Sequence, residues 1–137
     1  YVSNYRNIIV SKLNQDGKTL WVKKLAKLQT SDGSFSYIPF AGRHFIVFYD
    51  NLENHQITDN NFPRRHVSPE LCALFACQLD DKTGDLHKFL VFDSKEATRS
   101  MNVNKRSEFV KAGTEYFFFE CKVGEKKAMV RVKMKWF

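Results

Sequence analysis

Two-residue alternation is the feature that most limits what this sequence can fold into. Apolar and polar residues alternate over short segments, and Asp-Gly, Gly-Asp and Gly-Glu pairs separate these segments. Successive side chains of a β-strand point to opposite sides, so a strand with one buried face has this pattern. Glycine-containing pairs are typical of the turns between antiparallel strands. The pattern therefore predicts a domain that is mainly antiparallel β-structure.

The alternation is clearest at the C-terminal end. One side of the last predicted strand is apolar and the other is basic. The apolar positions are Val130, Val132, Met134 and Trp136, and the basic positions are Arg131, Lys133 and Lys135. A turn at 124–126 separates the last strand from the segment 116–123. One face of that segment has Phe117, Phe119, Cys121 and Val123, and the other has Tyr116, Phe118, Glu120 and Lys122. These two segments predict a C-terminal hairpin.

Five further segments predict strands upstream. They are residues 7–13, 19–28, 34–40, 44–50 and 86–92. The first three follow one another across short polar turns, which predicts a three-stranded meander. The segment 44–50 is apolar on both faces, which predicts a central strand.

Two short helices are predicted between residues 69 and 101. Ser68, Pro69 and Glu70 form a helix-start signal, because serine caps free amides, proline tolerates the first helical position and glutamate suits the positive helix end. Apolar residues then recur at helical spacing to Leu79, with a buried strand as the alternative. Ser94 is placed to cap a second helix over residues 95–101.

These elements predict one α+β domain over residues 1–137, mainly antiparallel, folded as a sandwich or partly open barrel with one or two short helices. The 43% of hydrophobic residues and 15% of aromatic residues exclude intrinsic disorder. The predicted core residues are Ile9, Leu20, Val22, Phe45, Val47, Leu74, Phe75, Leu90, Phe117, Phe119, Val132 and Trp136. No apolar run approaches the ~20 residues of a transmembrane helix, so we expect no transmembrane segment.

Three cysteines, Cys72, Cys77 and Cys121, lie inside apolar segments. Their odd number and their positions indicate buried free thiols, which predicts an intracellular protein, cytoplasmic or nuclear. An extracellular protein with one disulfide is the alternative. Because no Cys-x-x-Cys pair or other ligand cluster is present, we expect no metal and no cofactor.

No spacing in the chain matches a catalytic motif. The sequence has no Gly-x-Ser-x-Gly, no phosphate-binding glycine loop and no His-Glu-x-x-His. The four histidines fall on predicted strands or in and beside a polar loop, where histidine is usually solvated or structural. We therefore expect a protein without enzymatic activity.

The charge distribution points to an acidic partner. The chain has 22 Lys and Arg against 15 Asp and Glu, a net charge of +7, and residues 105–137 carry 9 basic and 4 acidic residues. Arg131, Lys133 and Lys135 would be ~6.6 to 6.8 Å apart along a strand, close to the phosphate spacing of an extended nucleic acid. Trp21, Lys23 and Lys27 share a face of another predicted strand. Arg64 and Arg65 add charge to a loop.

Aromatic residues beside these charges predict an interaction surface. The leading hypothesis is a non-catalytic module that binds an acidic protein or peptide. Its candidate partner-binding residues are Tyr116, Phe118, Arg131, Lys133, Lys135, Phe137, Arg64 and Arg65. The alternative is a single-stranded RNA- or DNA-binding domain, in which cations contact phosphates and aromatic rings stack on bases.

Overall fold

The computed structural model describes residues 5–29, 35–40, 42–57, 62–64, 72–93, 101–103, 110–112, 116–123 and 126–133. These residues form antiparallel strands and one short 3-10 helix, Leu52–Gln56, so the predicted antiparallel β-structure is confirmed. The strands are β1 Tyr5–Leu13, β2 Thr19–Gln29, β3 Ser36–Phe40, β4 Arg43–Asn51, β5 Cys72–Leu79, β6 Leu86–Asp93, β7 Met101–Val103, β8 Val110–Ala112, β9 Tyr116–Val123 and β10 Lys126–Lys133. Within the described ranges, no helix is long and apolar enough to span a membrane.

The strands form three sheets. The first contains β1 and β2, the second has the order β3-β4-β5-β6, and the third has the order β10-β9-β7 with β8 also paired to β9. Strand β4 lies between β3 and β5, so its predicted central position is confirmed. The predicted C-terminal hairpin is confirmed as well, because β9 and β10 pair along their whole length.

The predicted three-stranded meander is wrong, because β3 pairs with β4 and not with β2. Phe40 pairs with Arg43, so only two residues join these strands. One of them, Gly42, has a φ of +73°. Such tight hairpin turns favour a residue in the left-handed region, which glycine adopts without strain. This turn fixes β3 to β4 directly.

The helix predicted from Pro69 to Leu79 is also wrong over the residues described, since Cys72–Leu79 is strand β5. All five residues from Ala73 to Cys77 are buried, and ladders with β4 and β6 flank the strand on both edges. A strand between two others, covered on both faces, has a continuous apolar sequence and no clear period. The second predicted helix lies mainly outside the described residues, although Met101 belongs to β7.

The core lies between the first two sheets. Ile8 of β1 and Leu25 of β2 pack in one buried cluster with Ile46, Phe48 and Phe75. Of the predicted core, the buried residues are Phe45, Val47, Leu74 and Phe75, and Leu90 packs against the cluster while half-buried. Val132 is half-buried, and the side chains of Phe117, Phe119 and Trp136 lie outside the description.

Three predicted core residues are on the wrong side of the first sheet. Ile9, Leu20 and Val22 are 63%, 57% and 56% exposed. A register shift separates Arg6 from Ile8, with Asn7 at a φ of +49°. Across this shift β2 has one residue more than β1. Ile8 is the residue that turns inward, so the predicted faces of β1 are reversed.

Side chains at the other end of the first sheet hold the β5–β6 turn. The Lys12 Nζ lies 2.7 Å from the Asp81 carboxylate, and the Lys23 Nζ lies 3.2 Å from that of Asp85. The Trp21 ring lies so close to Gly84 that a Cβ there would be 2.7 Å from its Cδ2 atom. Gly84 is thus required both by this contact and by its φ of +76°.

Replacing Gly84 tests this contact against a matched control. Gly17 has nearly the same φ, +77°, but a Cβ there would have no neighbour within 4 Å. Both Gly17→Ala and Gly84→Ala should cost ~1 to 2 kcal/mol of backbone strain. Gly84→Ala should lose about 1 to 3 kcal/mol more, because the Trp21 ring must move.

Urea unfolding of both variants measures this difference. Equal losses of unfolding free energy in Gly17→Ala and Gly84→Ala would show that Trp21 does not hold the turn.

Candidate functional site

The ladder between β9 and β10 brings four of the predicted partner-binding residues together. Arg131 pairs with Phe118, and Lys133 pairs with Tyr116. Directly opposed residues of an antiparallel ladder project on the same side, with Cβ atoms about 4.5 to 5.5 Å apart. Met129 lies two residues before Arg131 and shares its side. We call Tyr116, Phe118, Met129, Arg131 and Lys133 the β9–β10 face.

Two cations of this face lie against one aromatic ring. The Arg131 Cζ is 5.2 Å from the centroid of the Tyr116 ring, and the Lys133 Nζ is 5.6 Å from it. Both distances are within the range of cation–π attraction, worth about 0.5 to 1 kcal/mol at exposed sites. Because the ring is half-buried and the cations are exposed, Tyr116 gives Arg131 and Lys133 a fixed support beside solvent.

The exposure of β10 alternates as the sequence predicts. Val130 and Val132 are half-buried, whereas Arg131 and Lys133 are exposed and Met129 is 62% exposed. The two strands together contain five basic residues and one acidic residue, Glu120, which pairs with Met129 in the ladder. The β9–β10 face therefore combines aromatic rings, a flexible thioether and exposed positive charge.

Arg64 belongs to a different part of the fold. Its backbone N–H donates to the Asn54 Oδ1 at 2.7 Å, and the Asn54 Nδ2 donates to the Arg64 carbonyl oxygen at 2.8 Å. Its guanidinium is 3.0 Å from the Glu53 carboxylate. These contacts tie Arg64 to the 3-10 helix. The remaining predicted residues, Lys135, Phe137 and Arg65, lie outside the described residues.

The basic side predicted for β2 is wrong at Lys27, which is only 2% exposed. Its Nζ is 5.8 Å from the centroid of the Phe48 ring. Burial lowers the pKa of Lys27 to about 8, and the negative charge of Asp50 opposes this shift. Lys27 is therefore part of the interior and contributes no surface charge.

Asp50 is fully buried beside Lys27, and backbone and side-chain groups surround its carboxylate. The backbone N–H groups of Asn51 and Leu28 donate to the Asp50 Oδ1 at 2.9 and 3.3 Å. Burial raises the pKa of Asp50 to about 6, although these bonds, a bond with Asn54 and the charge of Lys88 favour the ionised form. The Asp50 side chain is 0% exposed among the described residues.

The alternation pattern of the sequence does not predict the buried polar groups of Lys27 and Asp50. Asp50 and Asn51 end a strand that is otherwise apolar, and that abrupt change was the only available signal. Among the described side chains, no three His, Cys, Asp or Glu residues could hold a metal ion. Cys77 is buried as predicted, whereas the side chains of Cys72 and Cys121 lie outside the description.

No family model matches the chain, and no curated protein or solved structure matches it either. The chemistry of the β9–β10 face is therefore the basis for assigning a function.

The raised pKa of Asp50 predicts how stability changes with pH. The folded state holds the proton up to about pH 6, whereas the unfolded chain releases it near pH 4. Unfolding free energy contributed by this group should fall as the pH rises from about 4 to 6, by at most ~3 kcal/mol. Asp50→Asn should abolish that fall.

Asp80→Asn serves as a control of opposite sign. The backbone N–H groups of Thr83 and Lys82 donate to the Asp80 carboxylate and hold its pKa below the usual range. Replacing it should remove a gain in stability as the pH rises. Unfolding by urea at several pH values between 3 and 7 gives both curves. An Asp50→Asn curve parallel to the wild-type curve would contradict the assignment.

Proposed function

We propose that this sandwich-like domain is a non-catalytic intracellular interaction module, cytoplasmic or nuclear, whose β9–β10 face binds an acidic protein or peptide. The observation that supports this most directly is the grouping of Tyr116, Phe118, Met129 and Arg131 on one side of a single ladder. Aromatic residues, methionine and arginine are the residue types enriched in protein interfaces.

Each part of the face has a distinct role in binding. The rings of Tyr116 and Phe118 supply apolar contact area at a small cost in side-chain entropy. Arg131 can donate two parallel hydrogen bonds to a carboxylate, which a lysine cannot do. Because the Tyr116 ring already orients the guanidinium, less freedom is lost when the partner binds.

The charge of the two strands supports an acidic partner. Five basic residues and one acidic residue on β9 and β10 produce a positive potential that attracts an acidic surface. Such a field chiefly accelerates association and excludes basic partners, while the apolar contacts slow dissociation. Raising the salt concentration should therefore reduce the association rate more than it raises the dissociation rate.

Single-stranded nucleic acid is the second candidate partner. Arg131 and Lys133 alternate along β10 at ~6.6 to 6.8 Å, which suits successive phosphates. Base stacking, however, needs a free ring face, and two cations already lie against the Tyr116 ring. The exposed Met129 also suits an apolar partner surface better than a phosphate backbone. These features favour a protein partner.

Two probes distinguish these partners: a fluorescent peptide rich in Glu and Leu, and a fluorescent oligothymidine. For the peptide, Phe118→Ala should weaken binding about tenfold, which is more than Lys133→Gln should, because the ring is an apolar anchor. For the oligonucleotide, the order should reverse. The log-log salt slope should then decrease by about 0.7 with each phosphate contact removed.

Lys18→Gln is the control, since Lys18 is an exposed lysine in the β1–β2 turn. It should leave both affinities unchanged. The proposal is wrong if neither probe binds at low salt, or if Phe118→Ala and Lys18→Gln have the same effect on the peptide.

A further inference from the structure

A groove of about 730 Å³ runs beside β6, the last strand of the β3-β4-β5-β6 sheet. Strand β2 forms one wall, and the end of the 3-10 helix forms another. In the part of the chain that the structure describes, β6 pairs with β5 alone. An end strand of this kind presents backbone N–H and C=O groups to an added strand.

The residues of β6 in the groove show how it is oriented. Leu86, His87, Lys88 and Phe89 all contribute to its lining. Consecutive side chains of a strand point to opposite faces, so no single face of a sheet exposes four in succession. A groove lined by four consecutive residues follows the edge of the strand. The backbone groups of β6 therefore border the space.

The lining combines apolar contact with positive charge. Leu25 and Leu86 provide apolar surface, and the lysines and histidines in the lining are Lys23, Lys88, His55 and His87. Asp85, which pairs with Lys23 at 3.2 Å, is the acidic residue of the lining. The Lys88 Nζ donates to the Asn54 carbonyl oxygen at 2.7 Å, which fixes its position at the floor. Lys23 and Asp85 offset each other, so Lys88 leaves the lining with a net positive charge that complements an acidic ligand.

We propose that the groove binds an extended acidic peptide that adds as a strand to the edge of β6. Main-chain hydrogen bonds to β6 would provide affinity, and the apolar lining would seat alternate side chains. Acidic side chains of the peptide would meet Lys88 and compete with Asp85 for Lys23. The four lining residues of β6 span ~13 Å, enough for about four peptide residues in the groove.

This site shares no residue with the β9–β10 face and does not depend on the function proposed for that face. Its volume lies within the roughly 300 to 1,000 Å³ of typical ligand sites. The two sites can be tested separately, because Lys23 belongs to one and Arg131 to the other.

The test uses a fluorescein-labelled peptide, Thr-Glu-Val-Glu-Val-Glu-Val-Thr, and two versions N-methylated at alternate residues. Strand addition uses the amides on one edge of the peptide only. One methylated version should therefore lose binding about tenfold or more, while the other should bind nearly as well as the parent. Amide hydrogen exchange should also slow on β6 when the parent peptide is present.

Substitutions at Lys23 and Lys24 provide a matched pair of protein variants. They are neighbours on β2, but Lys23 lines the groove and Lys24 pairs with Ile9 on the outer face. Lys23→Gln should weaken binding by about three- to tenfold, and Lys24→Gln should not change it.

The proposal is overturned if the parent peptide does not bind, or if both N-methylated versions lose affinity equally. It is also overturned if Arg131→Gln weakens binding of this peptide and Lys23→Gln does not, because the β9–β10 face would then be its site.

Discussion

Successive side chains of a strand point to opposite faces, so the register of each ladder determines which side chains of this protein meet on each face of a sheet. The packing of Ile8 and Leu25 against Phe48 and Phe75 depends on this constraint. Ile8 is buried and its neighbour Ile9 is exposed, and a shift of one residue would bury Ile9 in place of Ile8. The same constraint on β9 and β10 places Arg131 opposite Phe118 and gathers the proposed binding residues on one side.

The local pattern predicted much of this architecture. Alternation and turn residues located the strands of the first and last hairpins, and the apolar character of residues 44–50 predicted the central position of β4. These predictions were correct because they depend on short-range chemistry. The exposure pattern of Arg131 and Val132 followed from the same rule.

Features that depend on distant neighbours could not be predicted in this way. The segment 71–79 has apolar residues at helical spacing and is also apolar enough for a buried strand. Only the ladders of β5 with β4 and β6 decide between the two. Lys27 is buried near Asp50, which lies 23 positions along the chain, so the sequence around Lys27 does not indicate this partner. The groove beside β6 likewise arises only when β2 and the 3-10 helix meet.

Chemical-shift mapping of isotopically labelled protein with the Glu- and Leu-rich peptide tests the central claim most directly. The account predicts that the largest amide shifts fall on residues 116–118 and 129–133, which carry the β9–β10 face. The outer side of the first sheet also exposes apolar residues, with Ile9 63% and Leu20 57% exposed. Shifts concentrated there, with β9 and β10 unchanged, would contradict the account.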